Sequence, residues 1–205
     1  MILSEKDIRE YAQRQDMPLI CPFVEEQLQS ASYDVSMSGN IAVLKSTGRL
    51  IDPLENEDLS DMYERVSIGI NGYLLCPGQY VLAELQERIN IPNTLAAHIR
   101  PRTRFTRSGV LVASQHCNPT YEGVLQIGIF NAGANSFLLR PGLRIAQIVF
   151  EKLSSIPEKL YRDKKDAAYS HEQEFRGSKF GEAAWSEEGK KLFRDVMETL
   201  QKEIE

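Results

Sequence analysis

The alternation of hydrophobic and polar positions predicts a chain built mainly of β-strands. From residue 66 onward, short apolar runs recur between glycine, proline and asparagine turns, as in residues 72–85, 109–112 and 121–131. Many short strands at such spacing are typical of a β-sandwich or a β-barrel. Because neither a strand–helix–strand rhythm nor an internal repeat is visible, we predict a mainly β fold, with β structure throughout this part of the chain.

Two stretches near the ends of the chain predict helices. In residues 1–13, Ser4 can cap a short helix and Asp7 can complete a capping box. In residues 186–205, Ser186 can cap a second helix whose apolar residues form one stripe. Such a stripe has to be buried, either against this subunit or against a neighbouring one.

Weaker signals come from the segment between the first helix and the β region. Residues 30–44 partly alternate, and Gly39-Asn40 predicts a turn within them. Residues 50–64 are rich in acidic side chains and predict a solvated loop.

Composition shifts after residue 155, where the chain becomes polar, charged and rich in small residues. This shift predicts three parts. They are a β domain with its N-terminal helix over residues 1–155, a flexible tail over residues 156–185, and an amphipathic helix over residues 186–205.

The charge of the chain is distributed unevenly. Its formal net charge is -5, which argues against a general nucleic-acid binder. Yet no lysine occurs between Lys45 and Lys152, and Glu122 is the only carboxylate between Glu87 and Glu151. The middle of the chain carries seven arginines instead: Arg88, Arg100, Arg102, Arg104, Arg107, Arg140 and Arg144. Arginine forks suit phosphate oxygens, so we expect a small anionic ligand at arginines with no nearby acid to neutralise them.

Cysteine and histidine usage bears on redox state and metals. The three cysteines are scattered without a CxxC spacing, and the three histidines are dispersed. We therefore expect reduced thiols and no zinc site. No signal-peptide pattern and no apolar run of membrane-spanning length is visible. The expectation is a cytoplasmic protein without a membrane partner.

Several segments together resemble the superfamily of dCTP deaminases and trimeric dUTPases. In chain order they read MILSEKDIRE, SYDVSMSGN, CPGQYVLAEL, RPRTRFTRSG, NPTYEG, FNAG and PGLRIAQIVFE. The resemblance runs from Met1 to about Tyr169, and the N-terminal helix and the tail are more similar to the deaminase branch. It implies a distorted β-barrel of jelly-roll type, a homotrimer with active sites between subunits, and a tail that covers a bound nucleoside triphosphate accompanied by magnesium.

The resemblance also implies roles for individual residues. The residues that match nucleotide-binding or phosphate-binding positions are Arg102, Thr103, Arg107, Tyr121, Gln147, Tyr161 and Tyr169. Tyr121 corresponds to the aromatic residue under the deoxyribose. Asp34 falls where dUTPases place an aspartate near magnesium, which implies a contact through water.

The chain departs from the family at both catalytic positions. Gly128 stands where the deaminases have the glutamate that activates water, and Asn118 stands where the dUTPases have an aspartate. Neither residue can take up a proton at neutral pH. Gln126 shares the strand face of Gly128 but does not ionise, and Glu122 lies about 20 Å away along an extended strand. Candidate replacements are Asn118 itself, His116 in what reads as a loop, and Glu172 or Glu174 in the tail.

Three functions remain open at this point. The first is hydrolytic deamination of a deoxycytidine-type nucleoside triphosphate, and the second is a dUTPase-like triphosphate diphosphatase. The third is a nucleotide-binding trimer without catalysis, which the absence of both carboxylates favours.

Overall fold

The computed structural model describes residues 1–52, 58–163, 175, 177 and 186–204. Its helices are α1 (Glu5–Ala12), α2 (Thr103–Arg107) and α3 (Glu187–Ile204). Its strands are β1 (Ile20–Cys21), β2 (Leu28–Gln29), β3 (Ser32–Leu44), β4 (Tyr63–Ser67), β5 (Tyr73–Leu75), β6 (Tyr80–Asn90), β7 (Leu95–Pro101), β8 (Val110–Val112), β9 (Gln115–Cys117), β10 (Glu122–Asn131), β11 (Phe137–Leu139) and β12 (Arg144–Lys152). Short 3-10 turns cover Glu25–Gln27, Ser60–Met62 and Tyr161–Asp163.

Most strands join one large sheet in the order β8-β10-β6-β3-β12-β7-β9. Strand β1 pairs with β6, and β2 and β4 pair with β3, while β5 and β11 form a separate two-stranded sheet. The predicted mainly β class is therefore confirmed. The Pro77-Gly78 turn leads from the small sheet into the large one, because β5 and β6 belong to different sheets.

Alternation along β6 and β10 decides which side chains reach the core. In β6, Val81, Ala83 and Leu85 are buried, while the residues between them are only half-buried. The same alternation in β10 buries Ile127 and Ile129. Successive side chains of a strand point to opposite faces, so the half-buried residues of both strands share the outward face of the sheet.

The N-terminal helix begins as predicted. The backbone N–H and the hydroxyl of Ser4 both donate to Asp7 Oδ2, at 3.2 and 2.9 Å. Ile8 and Ala12 are buried on the inner face of α1. These two residues are one turn apart, so α1 is held in place by a short apolar face on one side of the helix.

Two local predictions are wrong. Gly39-Asn40 does not turn the chain, because β3 continues through it with a register irregularity between Met37 and Ile41 on the β6 side. Such an irregularity is the mark of a β-bulge, which absorbs an extra residue without ending the strand. The second wrong prediction is β structure throughout the chain from residue 66, because α2 interrupts it with a five-residue helix that buries the ring of Phe105.

Compact packing divides the chain into two units. One comprises Met1–Leu44 with Glu64–Phe175, and the other comprises Lys45–Tyr63 with Arg176–Glu205. Within the second unit, the Ser60–Met62 turn interrupts the acidic segment that was predicted as a loop. The boundaries predicted at residues 155 and 185 remain predictions.

The C-terminal helix begins as predicted, since the Gly189 N–H donates to the Ser186 hydroxyl at 3.1 Å. The described part of its apolar stripe is exposed within this one chain, at Leu192, Phe193 and Val196. Among the described residues, no helix combines the length and the apolar character needed to cross a membrane.

Candidate functional site

An arginine-rich cavity of about 440 Å³ collects five of the residues for which the sequence predicted a contact with nucleotide, phosphate or magnesium. We call it the arginine cavity; it is lined by Gln29, Asp34, Arg102, Thr103, Arg104, Arg107 and Gln147. Arg102 precedes α2, while the next three residues of the set belong to that helix. The β3–β12 register places Gln147 directly opposite Asp34. Local sequence therefore supplies the cations, and long-range strand pairing supplies the other wall.

A buried carboxylate lies at the base of the arginine cavity. Asp34 is almost fully buried, and its Oδ2 atom lies 3.2 Å from Arg102 Nη2 and 3.8 Å from Arg144 Nη1. Gln29 Nε2 donates to the same oxygen at 3.4 Å. The expectation that these arginines have no acid nearby is thus wrong, because β3 brings Asp34 to them from another part of the chain.

Burial lowers the pKa of Arg102 below its ordinary value. Asp34 opposes this effect, while the like charges of Arg104 and Arg144 lower the pKa further. The guanidinium still remains protonated at neutral pH, because its ordinary pKa is so high. Of the residues that the structure describes, three arginines and one carboxylate line the cavity, and this set has an excess of positive charge that an anion would neutralise.

The donor set of the arginine cavity fits magnesium only as a companion of an anionic ligand. Across the described ranges, no group of three or more His, Cys, Asp or Glu side chains could hold a metal ion. Mg²⁺ commonly keeps several waters and uses one or two carboxylates together with substrate phosphates. Asp34 offers one carboxylate, already engaged by Arg102 and Gln29, so a contact through water suits it better than direct coordination.

Two of the predicted nucleotide-contacting tyrosines lie together outside the arginine cavity. The ring centroids of Tyr121 and Tyr161 are 6.2 Å apart. Tyr121 is buried at the end of a turn, where its N–H donates to the Asn118 carbonyl at 3.1 Å and its carbonyl accepts from the Ile91 N–H at 2.8 Å. Tyr169, Glu172 and Glu174 fall outside the residues that the structure describes.

Tyr80 occupies the space where a side chain at position 128 would begin. A Cβ atom built on Gly128 would lie 3.0 and 3.1 Å from ring carbons of Tyr80 and closer still to its hydroxyl. The two residues are near neighbours because Phe130 is the cross-strand partner of Tyr80, and Gly128 lies two residues before it on the same face. Glycine at position 128 therefore leaves the space beside β10 that the Tyr80 ring occupies.

His116 is not a lone loop histidine, contrary to the sequence prediction. It belongs to β9, where it pairs with His98 on β7, and the two ring centroids are 4.9 Å apart. Neither imidazole lines the arginine cavity. Glu122, considered above as a distant carboxylate, is ion-paired with Arg88.

A second cavity, of about 400 Å³, opens on the outward face of the large sheet. We call it the amide cavity, after the side-chain amides of two of its residues; it is lined by Asn40, Ile41, Ala42, Arg65, Val66, Ser67, Glu84, Gln126 and Phe175. It contains the carboxylate of Glu84, which sequence reasoning missed. Glu84 and Gln126 are cross-strand partners, but only the β6–β10 register reveals that, since 41 residues separate them in the printed sequence.

Comparison with known proteins relates this chain to one family. Residues 2–153 match a family model described as dCTP deaminase-like. The dUMP-forming dCTP deaminase of Methanosphaera stadtmanae is 30% identical over 82% of this chain and 88% of its own. The dCTP deaminase of Haloarcula marismortui is 30% identical over 87% of this chain and 94% of its own.

One solved structure allows the folds to be compared directly. The 2′-deoxycytidine 5′-triphosphate deaminase of Agrobacterium tumefaciens superposes with a TM-score of 0.60 at 19% identity. The match covers 74% of this chain but only 48% of that solved chain. It shows a common fold, and the fold class and family resemblance read from the sequence are confirmed.

Proposed function

The chain belongs to the dCTP deaminase-like family, and we propose that it is an enzyme that hydrolytically deaminates a deoxycytidine-type nucleoside triphosphate. The observation that carries the proposal is the arginine cavity, formed by a chain whose curated relatives are named dCTP deaminases. A triphosphate carries several negative charges, and forked guanidinium groups suit its oxygens.

The residues proposed to bind the phosphates are Arg102, Thr103, Arg107 and Gln147. Arg102 is held in place by Asp34 and presents its remaining donors to the cavity, while Arg107 adds a second cation from the same short helix. Magnesium would arrive with the triphosphate and neutralise part of its charge. Asp34 would hold one of its waters.

A homotrimer with shared active sites is part of the proposal. Among the described residues, those lining the arginine cavity include cations but no aromatic ring, whereas those lining the amide cavity include one aromatic ring and a single arginine. Within the same part of the chain, the two cavities share no lining residue. Each therefore provides half of what a nucleoside triphosphate needs, and assembly of copies is the arrangement by which the halves would meet. We also assign the protein to the cytoplasm, where its free thiols would stay reduced.

A second candidate is a nucleotide-binding trimer without catalysis. It is favoured by Gly128, whose missing side chain leaves room only for Tyr80. One experiment separates the possibilities. The purified protein is incubated with dCTP, CTP, dUTP and magnesium, and ammonia, pyrophosphate and nucleotide mass are measured.

Ammonia released from dCTP is the expected result. Pyrophosphate released from dUTP without ammonia from dCTP would identify a diphosphatase. Tight nucleotide binding with neither product would identify a binding protein.

A further inference from the structure

We propose that Glu84 is the catalytic carboxylate of this enzyme and that the amide cavity receives the pyrimidine ring. The proposal rests on the deaminase function proposed above. It assigns proton transfer to β6, the strand next to the one that carries Gly128.

Strand register puts Glu84 on the face where a carboxylate from β10 would otherwise stand. Gln126 is the cross-strand partner of Glu84, and Gly128 lies two residues further along β10, opposite Leu82. Side chains on such a diagonal start about 7 Å apart. Glu84 therefore projects from the same outward face of the sheet as Gly128, one cross-strand pair away.

The carboxylate of Glu84 is held in one orientation. The Ser38 hydroxyl and Asn40 Nδ2 both donate to Oε1 at 2.9 Å. Within the described ranges, Oε2 receives only a long contact from Gln126 Nε2, at 3.5 Å. One oxygen is therefore fixed by two donors, while the other keeps lone pairs for a water molecule in the cavity.

The other walls of the amide cavity suit a planar heterocycle. The Phe175 ring is buried, and the Arg65 guanidinium lies 5.5 Å from its centroid while donating to the Phe175 carbonyl at 2.7 Å. The amides of Asn40 and Gln126 can each donate and accept hydrogen bonds. An aromatic face combined with amide edges matches a pyrimidine, which has an apolar face and a polar rim.

In the proposed reaction, Glu84 relays two protons, one after the other. Glu84 accepts a proton from water as the water oxygen bonds to C4 of the cytosine ring, and it delivers that proton to N3. It then takes the proton of the new C4 hydroxyl and passes it to the amino group. The C4–N bond breaks with its electron pair on nitrogen, ammonia leaves, and the C4 carbonyl of uracil forms, so that one water is consumed for each ammonia released.

A purely structural role for Glu84 is the main alternative. Ser38 and Asn40 belong to the irregular part of β3, so the carboxylate could serve only to hold that bulge. The test therefore needs measurements of folding and binding besides turnover.

The test compares Glu84→Gln with Glu151→Gln in the full chain. Glu151 is also a half-buried strand glutamate, but it lies on β12 and does not line the amide cavity. We expect Glu84→Gln to lower ammonia release from dCTP by at least about 100-fold, the lower end of the contribution of general acid–base catalysis. Its melting temperature and dCTP affinity should stay close to the wild-type values, and Glu151→Gln should keep wild-type turnover.

General acid–base catalysis contributes about 10²–10⁴-fold, so a base cannot be removed at a cost of only a few-fold. Turnover of Glu84→Gln within about fivefold of wild type would therefore overturn the catalytic role of Glu84 and leave the proposed function intact. A wild-type protein that releases no ammonia from dCTP would overturn both. If Glu84→Gln loses its fold or its dCTP binding, Glu84→Ala with added formate decides. A rate that rises with formate but not with chloride supports the proton-transfer role, and an unchanged rate overturns it.

Discussion

Removing Arg102 should destabilise the folded protein because it deprives a buried carboxylate of its nearest cation. Asp34 has a side chain only 2% exposed, and Arg102 Nη2 is its nearest cationic group, at 3.2 Å. After Arg102→Ala, Arg144 at 3.8 Å and Gln29 at 3.4 Å would remain as partners. Breaking a buried ion pair costs about 3–5 kcal/mol when no partner is left. Because two partners stay and Arg102 itself is 19% exposed, we expect a loss of about 2–3 kcal/mol.

The matched rescue is Asp34→Asn in the same chain. It removes the orphaned charge, so Arg102→Ala with Asp34→Asn should be more stable than Arg102→Ala alone by about 1–2 kcal/mol, as expected for a coupled pair. Urea unfolding of the wild type, both single variants and the double variant measures the coupling. A loss of unfolding free energy below about 0.5 kcal/mol for Arg102→Ala is ordinary for a surface residue and would refute the structural role of the Asp34 contact. A double variant no more stable than Arg102→Ala would refute it as well.

Three further predictions concern other parts of the molecule. Arg107→Ala should change the free energy of unfolding by less than about 0.5 kcal/mol, yet weaken dCTP binding by about 1.5–3 kcal/mol. Calorimetry measures the binding, and equal affinities of wild type and variant would show that Arg107 is only a surface charge. Gly128→Ala should cost about 1 kcal/mol by displacing the Tyr80 ring, and adding Tyr80→Ala should abolish that difference in urea unfolding. Burial raises the pKa of the Cys117 thiol to about 12 from an ordinary 9.0. The folded state therefore resists ionisation more than the unfolded state does, and stability should fall by up to about 1.4 kcal/mol per pH unit between pH 9 and 12, a fall that Cys117→Ala should reduce.

Strand existence could be predicted from sequence, but strand continuity could not. The alternation in β6 and β10 is strong because one face of each strand is buried along its whole length. Gly39-Asn40 has the composition of a turn, yet β3 pairs with β6 both before it, at Met37, and after it, at Ile41, and this pairing keeps the strand continuous. The helix α2 depends on one buried ring, Phe105, and a single apolar anchor produces no periodicity.

For the candidate site, too, the sequence predicts residues that are close along the chain but not those that strand pairing brings together. Arg102, Thr103 and Arg107 lie within six residues, so their proximity follows from the sequence itself. Asp34 and Gln147 meet only through the β3–β12 register, and Glu84 meets Gln126 only through the β6–β10 register. For Asp34 and Gln147, the family resemblance did predict positions at a nucleotide site. No pattern within the chain indicates the second pair, because cross-strand partners are chosen by packing of the whole sheet.

The strand order has a consequence for synthesis on the ribosome. Strand β3 lies between β6 and β12, and its Tyr33 pairs with Ile148, about 115 residues later in the chain. At an elongation rate of about 5–20 residues per second, the β12 edge of β3 would wait about 6–23 seconds for its partner. A nascent chain would expose an unpaired strand edge during that interval, and such edges recruit other chains. A late folding step is therefore an expected feature of its biogenesis, since the β3–β12 pairing cannot form until β12 has left the ribosome.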